Sequence, residues 1–199
     1  MNIMTGKARC AAMALLLSGG LAITLPGVAM AQPAAAPVDP STQVPAPRPG
    51  DVSSPHAAVT ALYQVISGDA GVKRDWNRFR SLFHPRAQMI PTGKNAQTGQ
   101  IGARVMTPED YVNISGPNLE KNGFHEVELA YREERYGNIS HIFTTYAARR
   151  KASDAEPFMR GINSVQLFND GKRWWVLNII WSPETPEHPI PADYMKSVK

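Results

Sequence analysis

The apolar residues of this chain follow two different periods. In its middle third they fall three and four apart. Val59, Leu62, Tyr63 and Ile66 make one helical face, with Ser54 as cap, Pro55 in the first position and Gly68 at the end. Asp75 caps a second helix with Trp76, Phe79 and Phe83 on one side. It stops at His84-Pro85, because a residue before proline is driven out of the α region. Arg86–Pro91 reads as a short strand, and Thr92–Gly102, rich in Gly, Gln, Thr and Asn, as a loop or hairpin tip. Thr107-Pro108-Glu109-Asp110 opens a third helix, whose unbroken run Gly116-Pro117 limits.

Beyond Gly123 the period becomes two. Phe124–Arg135 sets Val127, Leu129 and Tyr131 on one face and Glu126, Glu128, Ala130 and Arg132 on the other. Gly137-Asn138 turns the chain into a second long strand, Ile139–Arg149, and Lys151–Pro157 is a polar loop. Arg160–Trp181 reads as a hairpin about Asn169-Asp170-Gly171, with its second arm, Trp174–Trp181, covered on both faces. Parity puts Asn178 with Trp174, Val176 and Ile180, and Asn163 with Val165 and Leu167. Two or three helices followed by long strands predict an α+β fold, with the helices on one face of a curved antiparallel sheet. Such a sheet leaves a cone with one open mouth, a natural pocket.

The ends lie outside this pattern. Residues 1–31 have a basic start (Lys7, Arg9), an apolar stretch Ala11–Ile23, then Pro26-Gly27 and a small-x-small ending, Ala29-Met30-Ala31. That is the layout of a secretory signal peptide, and the apolar stretch is short for a membrane span of about 20 residues. The expectation is an exported protein, periplasmic or secreted in a bacterium, with no membrane span once the signal is removed. Removal takes the only cysteine, Cys10, and lowers Lys+Arg from 21 to 19 against 17 acidic residues, so a net charge of +2 remains. That charge, with no basic run longer than Arg149-Arg150-Lys151, argues against a nucleic-acid partner. Residues 32–54 are proline- and alanine-rich and read as a disordered, partly polyproline-like linker. The folded domain is expected over 55–182, and 183–199, with Pro183, Pro186, Pro189 and Pro191, as an irregular tail.

Three sets of residues resemble the nuclear transport factor 2-like superfamily, which includes SnoaL-like cyclases, ketosteroid isomerase and scytalone dehydratase. They are Asp75-Trp76 through Leu82-Phe83-His84-Pro85-Arg86-Ala87; Gly137-Asn138-Ile139-Ser140-His141 through Tyr146; and Asp170-Gly171 with Trp174-Trp175-Val176. A bacterial subgroup of uncharacterised proteins is especially similar. The resemblance covers roughly 55–182 and implies a cone-shaped α+β barrel, commonly a homodimer paired through the outer sheet face. The chain departs from the ketosteroid isomerases where they place a general-base Asp, since that neighbourhood reads Met89-Ile90-Pro91-Thr92. It also lacks the His–Asp pair of a scytalone dehydratase-like site. It has Asn178 where many relatives carry a pocket-facing His or Ser.

Each candidate site residue has a functional and a structural reading. His141 and His84 are the candidate acid/base groups, since histidine titrates near neutrality. Equally, His141 is a buried histidine satisfied by a carbonyl or Glu126, and His84 a helix-end residue favoured by the dipole. Asn163 and Asn178 are amides that either orient a ligand or pair across the sheet. Tyr63 either donates into the pocket or is core with its tip satisfied. Trp174 is a pocket wall or a packing residue. Arg160 and Glu126 form an ion pair or clamp an acidic ligand. Histidines and carboxylates show no metal-ligand spacing, and no glycine-rich phosphate loop or serine elbow occurs, so neither metal nor cofactor is expected. Three functions follow as expectations: a module binding a small hydrophobic molecule, a proton-transfer enzyme, and a dimerisation module using Trp175 and Trp181.

Overall fold

The computed structural model describes residues 42–198, so the expected signal peptide and the first part of the linker lie outside the described residues. Helices α1 (Pro55–Ile66), α2 (Trp76–Leu82) and α3 (Pro108–Asn122) precede most of the strands. The strands are β1 (Phe83–Lys94), β2 (Ile101–Ala103), β3 (His125–Tyr136), β4 (Ile139–Arg149), β5 (Met159–Asn169) and β6 (Trp174–Pro183). They form one sheet in the order β2-β1-β6-β5-β4-β3. The fold is α+β, as the succession of periods predicts. The sheet is mixed rather than wholly antiparallel, because β1 lies parallel to β6, and it does not close into a barrel.

The helix starts follow the sequence. Ser54 accepts from the backbone N–H of Ala57, Asp75 from that of Arg78, and Thr107 with Asp110 completes a reciprocal capping box. The third helix does not end at Gly116-Pro117; it runs through to Asn122. Gly116 lies against the Trp76 ring, and that packing outweighs the hydrogen bond Pro117 cannot donate. The first strand is twelve residues, longer than expected. Its Pro85 falls where the register with β6 breaks, between Phe83 and Gln88, so no ladder bond is lost there.

Two bulges shape the sheet. One falls between Glu128 and Ala130 on β3, the other opposite Gln166-Leu167, where β6 has one residue extra between Val176 and Asn178. Each bends its strand and changes the face to which later residues point. On β6, Trp174 and Val176 face the helices, and beyond the bulge Ile179 and Trp181 do. Hence Trp174–Val176 are covered on both faces, while Leu177 and Ile180 are exposed. The β5–β6 turn depends on Gly171 at φ 90°, with Asn169 Oδ1 accepting from Gly171 N–H and Asp170 Oδ1 from the N–H groups of Lys172 and Arg173.

Both ends of the expected domain are docked. Pro49–Val52 forms a 3-10 turn, Val52 enters the core, and Asp51 pairs with Arg78, so ordered structure begins before Ser54. The tail is irregular apart from Ala192–Met195, yet it lies across the outer sheet face. Thr145 donates to the Tyr194 carbonyl, and the Tyr194 ring meets Phe143 at 5.2 Å. Val198 then bonds with Tyr131 and Glu133 and covers part of the free edge of β3.

Arg74 ties the helices together. Buried, it donates to the carbonyls of Ile66, Gly68, Val72 and Leu119. Arg74→Ala leaves these carbonyls short of donors and is expected to cost about 3 kcal/mol, read as a lower urea midpoint with unchanged slope.

Candidate functional site

The helix-covered face of the sheet and the helices enclose a cavity of about 210 Å³. Its walls are apolar and aromatic: Leu62 and Ile66 from α1, Phe79 from α2, Tyr111 and Leu119 from α3, with Phe124, Met159, Ile179 and Trp181. Ser115, Met159 and Trp181 are half-buried and form its rim. A larger cleft of about 370 Å³ lies under the tail, between Phe143, Ile162 and Ile180 and the prolines of 183–191. Its one acid, Glu184, serves Arg160 and the Ile190 N–H. The inner cavity carries the chemistry.

Glu126 and Glu128 face this interior, while Val127 and Leu129 on the same strand are exposed. Glu128 accepts from the Thr144 hydroxyl at 2.7 Å and meets His56 Nε2 at 2.6 Å. A hydroxyl has one proton, so Thr144 must accept from Tyr63, 3.1 Å away. The Tyr63 proton is therefore spent, and its oxygen accepts from Asn163 Nδ2 at 2.9 Å. The same Nδ2 donates to Glu126 Oε1 at 3.3 Å. The direction of every bond in this chain follows from Glu128 being an acceptor.

Glu126 is enclosed by protein, although its carboxylate borders the cavity space and the residue stays half-buried by accessible surface. Burial pushes its pKa up to about 7, and the Asn163 bond opposes the rise. Tyr146 is buried and its hydroxyl has no hydrogen-bond partner, although it lines the cavity. Gly161 makes room for it, because a Cβ there would come within 2.5 Å of that oxygen. Burial and the Glu126 charge hold the hydroxyl pKa of Tyr146 and Tyr111 far above the usual value, so both stay protonated.

Of the eight residues named from sequence, Tyr63, Asn163 and Glu126 meet here. The others stand elsewhere. Asn178 is on the opposite face, opposite Gln88 and Gln166, because the β6 bulge reverses the parity that would have turned it inward. His141 is also on that face, bonded to the Ser164 hydroxyl at 2.9 Å and 3.9 Å from Glu134. His84 is not a helix-end residue but the second residue of β1, edge-on to Trp175, its pKa lowered by burial and Arg86. Trp174 is core, beneath the Arg135 guanidinium. Arg160 pairs with Glu184, not with Glu126. Trp175 and Trp181 do not form an exposed surface: Trp175 is buried under Arg173, and Trp181 turns inward to meet Tyr111. Tyr146, which no sequence motif singles out for a role, is the further residue of the site. It shares the parity of Ile142 and Thr144 on β4, whereas His141 has the parity of Phe143 and Thr145.

No protein-family model matches the chain, and no curated protein does. Solved structures do. A protein of unknown function with a cystatin-like fold from Nostoc punctiforme is 8% identical, with 64% of this chain and 86% of that one covered and a TM-score of 0.48. An NTF-2-like protein of unknown function from Silicibacter pomeroyi is 10% identical, with 66% and 94% covered and a TM-score of 0.45. A candidate ketosteroid isomerase from Parabacteroides distasonis is 10% identical, with 67% and 89% covered and a TM-score of 0.45. These are nuclear transport factor 2-like and cystatin-like neighbours, and the likeness concerns architecture alone. Among the described residues no group of three or more His, Cys, Asp or Glu side chains could hold a metal, and no helix is long and apolar enough to cross a membrane.

The raised Glu126 pKa has a sign in stability. The folded state holds this proton more tightly than the unfolded state, whose carboxyl titrates near 4.5. The contribution is therefore intact below pH 4.5 and is lost as pH rises through about 7. Glu126→Gln removes the effect. Its stability relative to the wild type is expected to improve by about 2–3 kcal/mol between pH 5 and pH 8 in urea unfolding, and parallel pH curves would contradict the raised pKa.

Proposed function

We propose that this domain binds a small, largely apolar molecule with one polar group in the inner cavity, between Glu126 and Tyr146. The observation that carries this reading is the Tyr146 hydroxyl, buried and without a partner against an apolar wall. Such a group costs about 1–3 kcal/mol unless something accepts its proton. The volume limits the ligand. Drug-sized molecules occupy about 300–1,000 Å³, whereas a dry cavity of roughly 150 Å³ suffices for benzene. At about 210 Å³, a single ring with a short substituent fits.

A second reading is proton transfer. Glu126 at about 7 has the affinity that general acid–base work near neutrality requires, in a water-poor site. Neither His141 nor His84 borders this cavity, so in this reading the proton is exchanged by Glu126. Export after signal removal is supported by the sequence of residues 1–31. Homodimer formation is proposed over the part of the outer face that the tail leaves open, around Gln88, Gln166 and Asn178. A monomer at micromolar concentration in light scattering would exclude it.

Ligand binding to the folded state raises apparent stability, by about 2.7 kcal/mol at a hundredfold excess over Kd. Toluene, phenol and indole, tested at millimolar concentration by thermal shift, are expected to include at least one that raises Tm. Ser115→Trp, which fills the rim, should abolish the rise. The proposal fails if none of the three shifts Tm.

A further inference from the structure

The balance of charge around Glu126 narrows the ligand class. Six aromatic residues line the cavity, namely Tyr63, Phe79, Tyr111, Phe124, Tyr146 and Trp181, and one acid. No lysine, arginine or histidine is among the lining residues. Among the described residues the acid's side-chain partner is a neutral amide, Asn163, at 3.3 Å. Other carboxylates of this chain meet cations, Asp51 with Arg78, Glu109 with Arg80, Glu184 with Arg160 and Glu120 with Lys73, and Glu128 bonds to the His56 ring. Glu126 also lines a neighbouring cleft with His125 and Arg149, but those bond to Asp69 and the Asp154 carbonyl, and on the inner-cavity side Glu126 has no counter-charge.

Resting on the reading of this cavity as a ligand site, we infer that its ligand is a small organic ammonium ion, its charge on Glu126 and its carbon body against the aromatic walls. A carboxylate enclosed in a medium of low polarity is costly without an opposite charge, and an incoming ammonium supplies one. The faces of tyrosine and tryptophan rings attract the same ion through their quadrupoles, an attraction that strengthens where water is excluded. The Tyr146 oxygen can accept from an N–H of the ammonium, which gives this buried hydroxyl one partner although its own proton is still not accepted. The mouth bears Ser115, Met159 and Trp181, so no positive side chain at the rim repels a cation.

The groups around Glu126 make the dependence on pH interpretable. Tyr63 faces it from α1, Tyr111 from α3 and Tyr146 from β4, and all three stay neutral because burial raises their pKa. Glu128, on its own strand, is engaged with Thr144 and His56; His125, its neighbour in sequence, meets Asp69; and Arg149 of β4, which shares a cleft with Glu126, donates to the Asp154 carbonyl. Asn163 of β5 and Trp181 of β6 do not titrate. An alkylammonium keeps its proton to about pH 10, as lysine does. Glu126 is then the one cavity group that changes charge between pH 6 and pH 8.

The test compares benzylamine with benzyl alcohol, close in size and shape, by titration calorimetry on the full chain at pH 6 and pH 8. Benzylamine is expected to bind at least tenfold more tightly than the alcohol at pH 8, and to lose about tenfold on going to pH 6 as Glu126 takes up its proton. Glu126→Gln should remove the preference for the amine. The inference is overturned if the alcohol binds as well at pH 8, if the amine's affinity is flat with pH, if Glu126→Gln keeps the preference, or if neither compound binds. The wild-type pH comparison needs no variant and stands if Glu126→Gln fails to fold. Failure here with toluene, phenol or indole still bound would discard the ammonium and keep the cavity as a site for neutral molecules.

Discussion

Two carboxylates pointing into the protein set the terms for the structure around them. Glu126 and Glu128 take inward positions on β3 while Val127 and Leu129 face water, the reverse of what burial alone would choose. The interior is built to absorb them. Glu128 is met by Thr144 and His56, and His56 itself is stacked on Tyr131 at 3.9 Å. Tyr63 and Asn163 extend the chain of donors from there to Glu126. Because each member spends its proton in one direction, the network has a polarity, and that polarity takes Tyr63 out of the cavity as a donor. Stability and site chemistry therefore rest on the same few bonds.

Much of the fold was legible because local and periodic signals agreed. The three helix caps, the Gly137-Asn138 turn and the long strands β3 and β4 all lie where capping chemistry and period-two alternation put them. The parallel pairing of β1 with β6 was not legible, because no local signal tells a strand which distant edge it will join. The run of α3 through Pro117 was hidden for a related reason: it depends on Gly116 lying under Trp76, a tertiary contact.

The site was half legible. Tyr63, Asn163 and Glu126 lie on segments where parity holds from the point of reference. Asn178 and Trp181 lie beyond the β6 bulge, and strict alternation assigns both to the wrong face. Tyr146 was hidden for a different reason: a tyrosine titrates far from neutrality and so gives no acid–base signal, and only its parity with Ile142 and Thr144 puts it on the inward face of β4. The near-neutral Glu126 could not be anticipated, because it arises from enclosure by α1, α3, β4 and β5 together.

The extra residue at the β6 bulge touches none of the cavity, yet it decides which half of that strand does. Were Leu177 taken into the ladder instead of bulged out, strict alternation would put Asn178 and Ile180 in the wall in place of Ile179 and Trp181, with no change of sequence. A polar amide would then enter and an indole would leave. In this fold the presence of a bulge, rather than the identity of the residues after it, decides which side chains a strand gives to the wall, so two chains alike along β6 need not share a ligand if one pairs without the bulge.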